Sequence, residues 1–411
     1  MEMPINKDPA LLMHVDLNSC FAIIEQQANP LIRNQPVAVA AYDTPAGIII
    51  ASSYEAKALG IKLGVSVREA REIYNGVHIL TPDPEKYFDA HKRFSKILSK
   101  YSDKVWAKSV DEFLIDFKGS NYLRDGLSLR DIGHMIKRDV KYYLGEYVTI
   151  NVGIGNNPFL AKLAAGLNKP DGMDLIDHNN ILDVYKKISL VDLPGINFRY
   201  EARLNLAGIY SPLDFLNSPV FKLKDEVFKS INGYYWYLRL RGYLIDNIDY
   251  KRKSFGNQYA LGHKTRDQKE LSRLLMKLSE KTGRRLRAKR FYAKGIRLYL
   301  RFEDGSYFNR YKTLNYPIYA SLDIYKSAYR ILESINIISN VREMSVSVFK
   351  LSSKDPEQLD LFNGYPRSVD GLAEFSDTIN DRYGEYTLIP ALMANMEDLI
   401  IKRVAFGKNQ D

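Results

Sequence analysis

Three acidic residues stand in the sequence where their carboxylates could meet at one site. Asp16 ends an apolar run that predicts a buried strand, and Asp111 and Glu112 lie at the tip of a predicted β-hairpin. Carboxylate oxygens at strand ends suit Mg²⁺, and two such ions about 3.5–4 Å apart can promote phosphoryl transfer. Neighbouring residues of a regular strand face opposite sides, so Asp111 and Glu112 can share a site only at a turn or a bulge. The alternative is that Asp16 caps a helix and that Asp111 and Glu112 form a polar turn.

The elements that would position these acids alternate along the first half of the chain. Apolar runs bounded by turn residues predict strands at residues 11–16, 36–41, 47–52, 105–109, 111–117 and 148–154. Helical signals predict helices at residues 53–59, 86–99, 129–144 and 159–167, with an earlier helix that ends near residue 27. This order predicts an α+β sheet with its helices on one face.

The second half of the chain predicts two further regions. Residues 179–245 show short helices with tight turns, and the polar, basic segment 246–254 predicts an inter-domain linker. A long helix at 268–290 and an alternating strand at 295–302 follow, then a strand at 307–314, a helix at 322–335 and a strand at 341–351. These elements predict a ββα-type sheet domain.

The composition is that of a globular protein with a basic excess. The chain has 411 residues, with 59 Lys and Arg against 49 Asp and Glu, and a net charge of +10. At roughly 150 residues per domain, this length predicts two to four domains. No apolar run approaches the ~20 residues that span a bilayer, and a single cysteine cannot form an internal disulfide. We expect a cytoplasmic protein without membrane contact, whose basic excess suits a polyanionic partner.

Three motifs resemble those of a known family. The run from Asp16 to Phe21 resembles the first metal motif of the Y-family (translesion) DNA polymerases, and residues 109–112 resemble their second acidic motif. The stretch 153–172 is similar to their third signature, and the similarity extends over roughly residues 11–350. The resemblance implies an α+β multidomain protein with a right-hand polymerase architecture. Its expected parts are a palm (1–20 and 82–178), small fingers (21–81), a helical thumb (179–245), a linker (246–254), a little finger (255–351) and a C-terminal extension (352–411).

The resemblance also implies a metal site. Asp16 and Asp111 would bind two Mg²⁺ ions, Glu112 would bind the ion that activates the primer 3′-hydroxyl, and Leu17 would supply its backbone carbonyl. Mn²⁺ is the expected substitute ion. Such a site needs positioning and charge neutralisation rather than covalent chemistry from the protein.

The same resemblance implies a nucleotide pocket. Phe21 would be the steric gate against the 2′-hydroxyl, although a single helical Phe is more often a core residue. Tyr54 and Lys57, three residues apart on one helix face, would grip the triphosphate together with Lys169. For Lys162 a solvated helix position is as good an interpretation. The pair of glycines at 153 and 155 is a weak phosphate signal by itself.

Two regions are expected to bind DNA. Residues 193–197 resemble the helix-hairpin-helix of the family's thumb, in which Gly195 would support a phosphate-binding turn and Asn197 replaces the second glycine with a residue that tolerates a left-handed conformation. The alternative is a plain turn between helices. The basic run 281–290 and the outward side of the following strand carry the cations expected to contact the DNA backbone, namely Arg284, Arg285, Arg287, Arg297 and Arg301.

A short peptide near the C-terminus resembles the motif with which bacterial polymerases bind the sliding clamp. In it, Leu361 and Phe362 would fill an apolar pocket, while Gln358 and Leu359 complete the motif. The tail around Asn380 resembles the UmuC-like branch of the family, whereas Tyr54 is closer to the polymerase IV type. Both placements stay open at this point.

The leading hypothesis is a low-fidelity, template-directed DNA polymerase for translesion synthesis. It would add dNTPs to a primer 3′ end on primer-template DNA, without proofreading, as a monomer in the cytoplasm, associated with the nucleoid during repair. One alternative is a polymerase that needs accessory SOS proteins, and another is a non-catalytic clamp- and DNA-binding protein with a polymerase fold. The second alternative predicts a missing acid, whereas Asp16, Asp111 and Glu112 are all present.

Overall fold

The computed structural model describes residues 3–245, 252–353 and 368–396. The chain divides into two compact units. The first contains the described residues up to 245, and the second contains those from 252 onwards. The predicted clamp-binding peptide, with Gln358, Leu359, Leu361 and Phe362, lies outside the described residues, as does most of the predicted linker.

The first unit combines two small sheets with many helices. Its elements are β1 (Leu12–Leu17), α1 (Cys20–Ala28), β2 (Val37–Ala40), β3 (Ile49–Ser52), α2 (Tyr54–Ala58), α3 (Val67–Ile73), β4 (His78–Leu80), α4 (Pro84–Leu98), β5 (Val105–Ala107), β6 (Glu112–Asp116), α5 (Asn121–Arg124), α6 (Leu129–Tyr143), β7 (Ile150–Gly155), α7 (Pro158–Leu167), β8 (Met173–Ile176), α8 (Ile181–Lys187), α9 (Phe198–Leu206), α10 (Pro212–Asn217) and α11 (Asn232–Leu240). Short strands such as β4 and β8 were not predicted, because three or four residues show too little alternation to be recognised.

A five-stranded sheet with the order β5-β6-β1-β7-β8 forms the centre of this unit. Strand β1 pairs antiparallel with both β6 and β7. Alternate residues of β1, including Met13 and Val15, enter an apolar core with α1, α4 and α6. Helix α1, which we expected to belong with the fingers, packs into this core through Phe21 and Ile24. The helix therefore fixes the end of β1 at which Asp16 lies.

Helix α7 covers the opposite face of the sheet at close range. A side chain on Gly153 of β7 would place its Cβ 2.1 Å from the carbonyl oxygen of Ala161, and one on Gly155 would come within 2.5 Å of the Ala161 nitrogen. Only glycine leaves room for a helix backbone this near to a strand. These glycines lie inside a strand and make helix packing possible, which accounts for the pair without a phosphate-binding role.

The remaining parts of the first unit are a three-stranded sheet and a helical region. The small sheet has the order β3-β2-β4, and α2, the helix that carries Tyr54, directly follows β3. In the helical region, Gly195 has a φ of 98°, as expected for the turn before α9. Asn197 is extended, with a φ of −106°, and its side chain accepts hydrogen bonds from the amides of Arg199 and Tyr200. The expected left-handed role of Asn197 was wrong, because the residue caps α9 instead.

The second unit is a four-stranded antiparallel sheet with two long helices on one face and an added C-terminal helix. Its elements are β9 (Ser254–Thr265), α12 (Gln268–Ala288), β10 (Tyr292–Phe302), β11 (Tyr307–Ile318), α13 (Ser321–Glu333), β12 (Val341–Ser352) and α14 (Ser368–Tyr383). The sheet order is β11-β10-β12-β9. Strand β9 was missed, since glycines and polar residues interrupt its alternation. The unit is therefore βαββαβ, with one strand more at its start than the predicted ββα-type domain.

Helix α14 binds the basic side of α12 through ion pairs. The Arg287 guanidinium is buried, with its Nη2 2.9 Å from Oδ1 of Asp377 and its Nη1 3.0 Å from the Ser321 hydroxyl. Arg284 pairs with Asp381 at 2.7 Å and also faces Asp377 and Glu385. The prediction that Arg284 and Arg287 contact DNA was wrong, because acids of the chain itself neutralise both side chains. Arg285 of the same helix is exposed.

One lysine of α12 is buried without an acid. The Lys277 side chain is 2% exposed, and its ammonium has no hydrogen-bond partner among the described residues. The Tyr259 ring centre lies 4.8 Å from the nitrogen. Burial lowers the pKa of Lys277 to about 8.

None of the helices in the described ranges is long and apolar enough to cross a membrane.

We expect Gly153→Ala to lower the free energy of unfolding by about 3 kcal/mol, because the new methyl group meets helix backbone that cannot move aside alone. Gly166→Ala is the matched control, since Gly166 lies in α7 with open space around its Cβ position. That change should alter stability by no more than about 1 kcal/mol, towards higher stability. Urea-induced unfolding followed by circular dichroism measures both. Equal effects of the two substitutions would contradict the packing argument.

Replacing Lys277 with Met should raise the free energy of unfolding by about 1–3 kcal/mol at pH 7, because the folded state no longer holds a buried ammonium. The unfolded pKa is near 10.5 and the folded one about 8, so the unfolded chain binds more protons between these values. Wild-type stability should therefore rise with pH across that range, and the difference from Lys277→Met should shrink. The exposed Lys269 of the same helix supplies the control, Lys269→Met, for which thermal unfolding between pH 7 and 10 should show no such trend.

Candidate active site

The three predicted acids lie where β1 ends and β6 begins. Asp16 lies opposite Glu112 in the β1–β6 register, so both side chains project from the same face of the sheet. The Leu17 amide donates to the carbonyl oxygen of Asp111 at 3.0 Å, which places Asp111 directly before β6. Because Asp111 precedes the strand, it is free of the strict alternation that would separate it from Glu112. The condition set for a shared site is therefore met.

Hydrogen bonds from Ser109 shape the approach to β6. The Ser109 hydroxyl donates to Asp111 at 2.6 Å and accepts from the Glu112 amide at 3.1 Å. Burial raises the pKa of Asp111, while the Ser109 hydrogen bond opposes that rise. Burial also raises the pKa of Asp16, against the opposing effect of Lys169. Carboxylates in such surroundings favour the approach of a cation, which stabilises their charged form.

Two lysines supply cations to these acids. The Lys162 ammonium lies 2.8 and 2.7 Å from the two oxygens of Glu112, and the Lys169 ammonium lies 2.9 Å from Asp16. Lys162 belongs to α7, which the strand glycines hold close to the sheet. Lys169 follows the same helix. Lys162, for which a solvated helix position was an equally good interpretation, has a half-exposed side chain whose ammonium is bound to Glu112.

His14 is a member of the site that sequence reasoning did not single out. It precedes Asp16 by two residues on β1, so both side chains share one face. Its side chain is 3% exposed, its Nε2 is 3.7 Å from Glu112, and that nitrogen has no hydrogen-bond partner among the described residues. Burial lowers the pKa of His14 to about 4, so the imidazole is neutral at pH 7. The i, i+2 spacing from Asp16 was the signal that could have revealed it.

Tyr54 and Lys57 border the acid site from α2. The Lys57 ammonium lies 4.5 Å from the Tyr54 ring centre and donates to the Ser19 hydroxyl at 2.7 Å. Burial, with the nearby Lys169 charge, lowers the pKa of Lys57. Burial, with the charge of Asp16, raises the pKa of Tyr54 to about 12. These electrostatic effects place both side chains beside Asp16 and Lys169, as a shared pocket requires.

Phe21 has the core position that we named as the alternative to a steric gate. It is 2% exposed and stacks on Tyr87 with ring centres 4.3 Å apart. The gate role therefore stays a prediction. Gly195, Arg285, Arg297 and Arg301 lie away from the acids in sequence, and their DNA contacts stay predictions as well.

The donor set fits hard divalent cations. Asp16 and Glu112 offer carboxylate oxygens that, with a His14 nitrogen, lie within 4.8 Å of one another. Oxygen donors of this kind suit Mg²⁺ or Mn²⁺. Asp111 adds a third carboxylate next to Glu112. The donor set therefore fits a metal ion held by carboxylates at the edge of a sheet.

Comparisons with known proteins agree with this arrangement. The impB/mucB/samB family matches residues 15–166, and the C-terminal domain of that family matches residues 252–361. A DNA polymerase IV of Pelotomaculum thermopropionicum is 31% identical, over 98% of this chain and 99% of the relative. The chain belongs to the Y family of DNA polymerases. A DNA polymerase IV of Staphylococcus epidermidis is 28% identical over 86% of this chain and 98% of that protein.

Solved structures of Y-family polymerases show the same fold. A Y-family polymerase chimera of Dbh and Dpo4 superposes with a TM-score of 0.71 at 24% identity, over 84% of this chain and 99% of the chimera. An insertion ternary complex of Dbh DNA polymerase gives a TM-score of 0.56 at 24% identity, over 82% of this chain and 98% of Dbh. The expected right-hand α+β architecture is confirmed. This Y-family chain is a DNA-directed DNA polymerase, and its similarity to polymerase IV proteins agrees with one of the two expected placements.

Proposed function

We propose that this Y-family polymerase performs translesion synthesis by two-metal phosphoryl transfer at Asp16, Asp111 and Glu112. The observation that carries the proposal is the position of three carboxylates where β1 ends and β6 begins, with lysine ammoniums bound to Glu112 and Asp16. Two Mg²⁺ ions would fit there, with Mn²⁺ as a substitute. The Leu17 carbonyl would complete the ligand set. The non-catalytic alternative is not favoured, because the acid set is complete and assembled.

The metal ions would supply the Lewis-acid chemistry, and the chain would supply position and charge. Lys169, Lys57 and Tyr54 would hold the triphosphate of a dNTP, since the Lys169 ammonium is bound to Asp16 and the Lys57 ammonium lies over the Tyr54 ring and binds Ser19. A lysine neutralises phosphate but lacks the bidentate fork of arginine, so this grip fixes charge more than orientation. Phe21, at the start of α1, would close the floor of the sugar pocket.

DNA would bind to the open face of the second unit's sheet. Arg297 and Arg301 are exposed on β10, while the alternate residues Ile296, Leu298 and Leu300 are buried in the core with the helices. Arg285 on α12 and the Gly195 turn would add contacts to the phosphate backbone. Such contacts give affinity that depends on salt but not on base sequence.

The proposed partners are primer-template DNA, dNTP and a sliding clamp bound by Gln358, Leu359, Leu361 and Phe362. Accessory SOS proteins, a monomeric state and a cytoplasmic, nucleoid-associated location belong to the same proposal.

Asp111→Asn should lower primer extension with Mg²⁺ and dNTPs at least 100-fold, because the variant keeps the shape of the carboxylate but loses the charge that binds metal, a loss of about 2.7 kcal/mol or more in transition-state stabilisation. Asp125→Asn changes an exposed acid of the same unit and should leave extension unchanged. Gel-resolved extension of a labelled primer on an undamaged template measures both. Wild-type levels of extension by Asp111→Asn would contradict the assignment.

The double variant Arg297→Ala/Arg301→Ala should weaken binding to primer-template DNA and reduce the slope of log affinity against log salt by about 1–2, if each arginine contacts a phosphate. Arg284→Ala removes the same type of charge from the same unit, but that charge is already paired with acids of α14. Its salt slope should match that of the wild type. Fluorescence anisotropy between 50 and 200 mM salt tests this, and a larger effect for Arg284→Ala would reverse our assignment of the DNA face.

A further inference from the structure

The Lys162 ammonium binds both carboxylate oxygens of Glu112, the residue that would bind one of the metal ions. Its ammonium is 2.8 Å from Oε1 and 2.7 Å from Oε2 of Glu112. In a charge-assisted pair of this type, the ammonium takes up the carboxylate lone pairs that would otherwise bind a metal ion. The lysine side chain is 43% exposed and that of Glu112 is 19% exposed, so the pair lies at the rim of the site.

We infer that Lys162 is an internal competitor of the divalent ion at Glu112, and that it weakens metal binding by the free polymerase. The inference rests on the proposed metal site. A metal ion at Glu112 must displace the ammonium, and the displaced ammonium stays tethered to α7, where it continues to repel the ion. Both effects lower metal affinity without removing a single ligand.

The surroundings of Glu112 support this role for Lys162 in particular. His14 also lies near Glu112, but its Nε2 is 3.7 Å from the carboxylate, against 2.7 Å for the Lys162 ammonium. Lys169 is bound to Asp16 instead, at 2.9 Å. Helix α7 is held against β7 at the strand glycines, so the Lys162 backbone cannot retreat from the site.

The pairing has a clear physical benefit for the metal-free protein. Without a cation, Glu112 would lie close to Asp16 and Asp111 with its charge uncompensated, which costs free energy in a partly buried site. Lys162 supplies that cation from the chain. The cost is a lower affinity for the first metal ions that bind.

The test is Mn²⁺ binding to the full chain without DNA or nucleotide, measured by the electron paramagnetic resonance signal of free Mn²⁺ at constant ionic strength. Lys162→Met removes the ammonium and keeps the aliphatic stem. We expect its dissociation constant for Mn²⁺ to fall about three- to tenfold below that of the wild type. Lys162→Arg keeps the cation and should remain within twofold of the wild type. If Lys162→Met proves unstable, Lys162→Gln takes its place with the same expected result.

A matched control removes a lysine of equal exposure elsewhere. Lys141 is 46% exposed and pairs with Asp171 at 3.1 Å, on the far end of α6. Lys141→Met should leave the dissociation constant within twofold of the wild type. In a Glu112→Gln background, the gain from Lys162→Met should fall below twofold, because the contested carboxylate is gone. A gain of equal size in either case would overturn the inference in favour of a general charge effect.

The same measurement separates this inference from the proposed function. Asp16→Asn should weaken Mn²⁺ binding at least tenfold if the acids form a metal site. Loss of binding in Asp16→Asn together with no tightening in Lys162→Met would overturn the competition by Lys162 and leave the metal site intact. Unchanged binding in both variants would overturn the metal site and the inference together.

Discussion

The mutual repulsion of three carboxylates at one end of a sheet is the constraint on which the rest of the site depends. Asp16 and Glu112 are cross-strand neighbours, Asp111 directly precedes Glu112, and burial makes the charge of Asp16 and Asp111 more costly. A cluster of this kind persists only with cations beside it. In this chain the cations come from Lys162 and Lys169, so the electrostatics of the acids decide where α7 and the segment after it must lie.

The ligands and their counterions differ in how they are held. Asp16 and Glu112 project from strands paired on both sides, and Asp111 directly precedes one of these strands. Lys162 and Lys169 instead reach the site with long side chains from a helix and the segment after it. Because the acids are held rigidly and the lysine ammoniums can move, metal ions could replace the ammoniums without rearrangement of the sheet. Gly153 and Gly155 contribute to this arrangement from inside β7, because they let α7 approach until its lysine reaches Glu112.

The acid site was predictable from sequence to the extent that local pattern controls it. Strand ends located Asp16, and a hairpin located Asp111 and Glu112, because both follow from alternation and turn residues along a few residues. The lysine pairs and His14 depend on how α7 and β1 pack, which no local pattern encodes. The same limit explains Asn197. Asparagine tolerates a left-handed conformation, but here the residue is extended because its side chain accepts hydrogen bonds from two free amides of α9. This limit also explains β9, where glycines conceal a strand that only its pairing with β12 stabilises.

The distribution of charge shows why a basic excess cannot be equated with a DNA-binding surface. The richest basic run of the sequence lies on α12, yet Arg287 is buried against Asp377 and Arg284 faces three acids of the C-terminal segment. Those ion pairs attach α14 to α12 and remove two cations from the available surface. The strand face keeps the side chains of Arg297 and Arg301 exposed, and the cross-strand acid Glu343 lies 3.9 Å from Arg301. The sequence analysis treated all five arginines alike as DNA contacts. Ion pairs within the fold reduce the accessible positive charge on the long helix, so the open sheet carries a larger share of it.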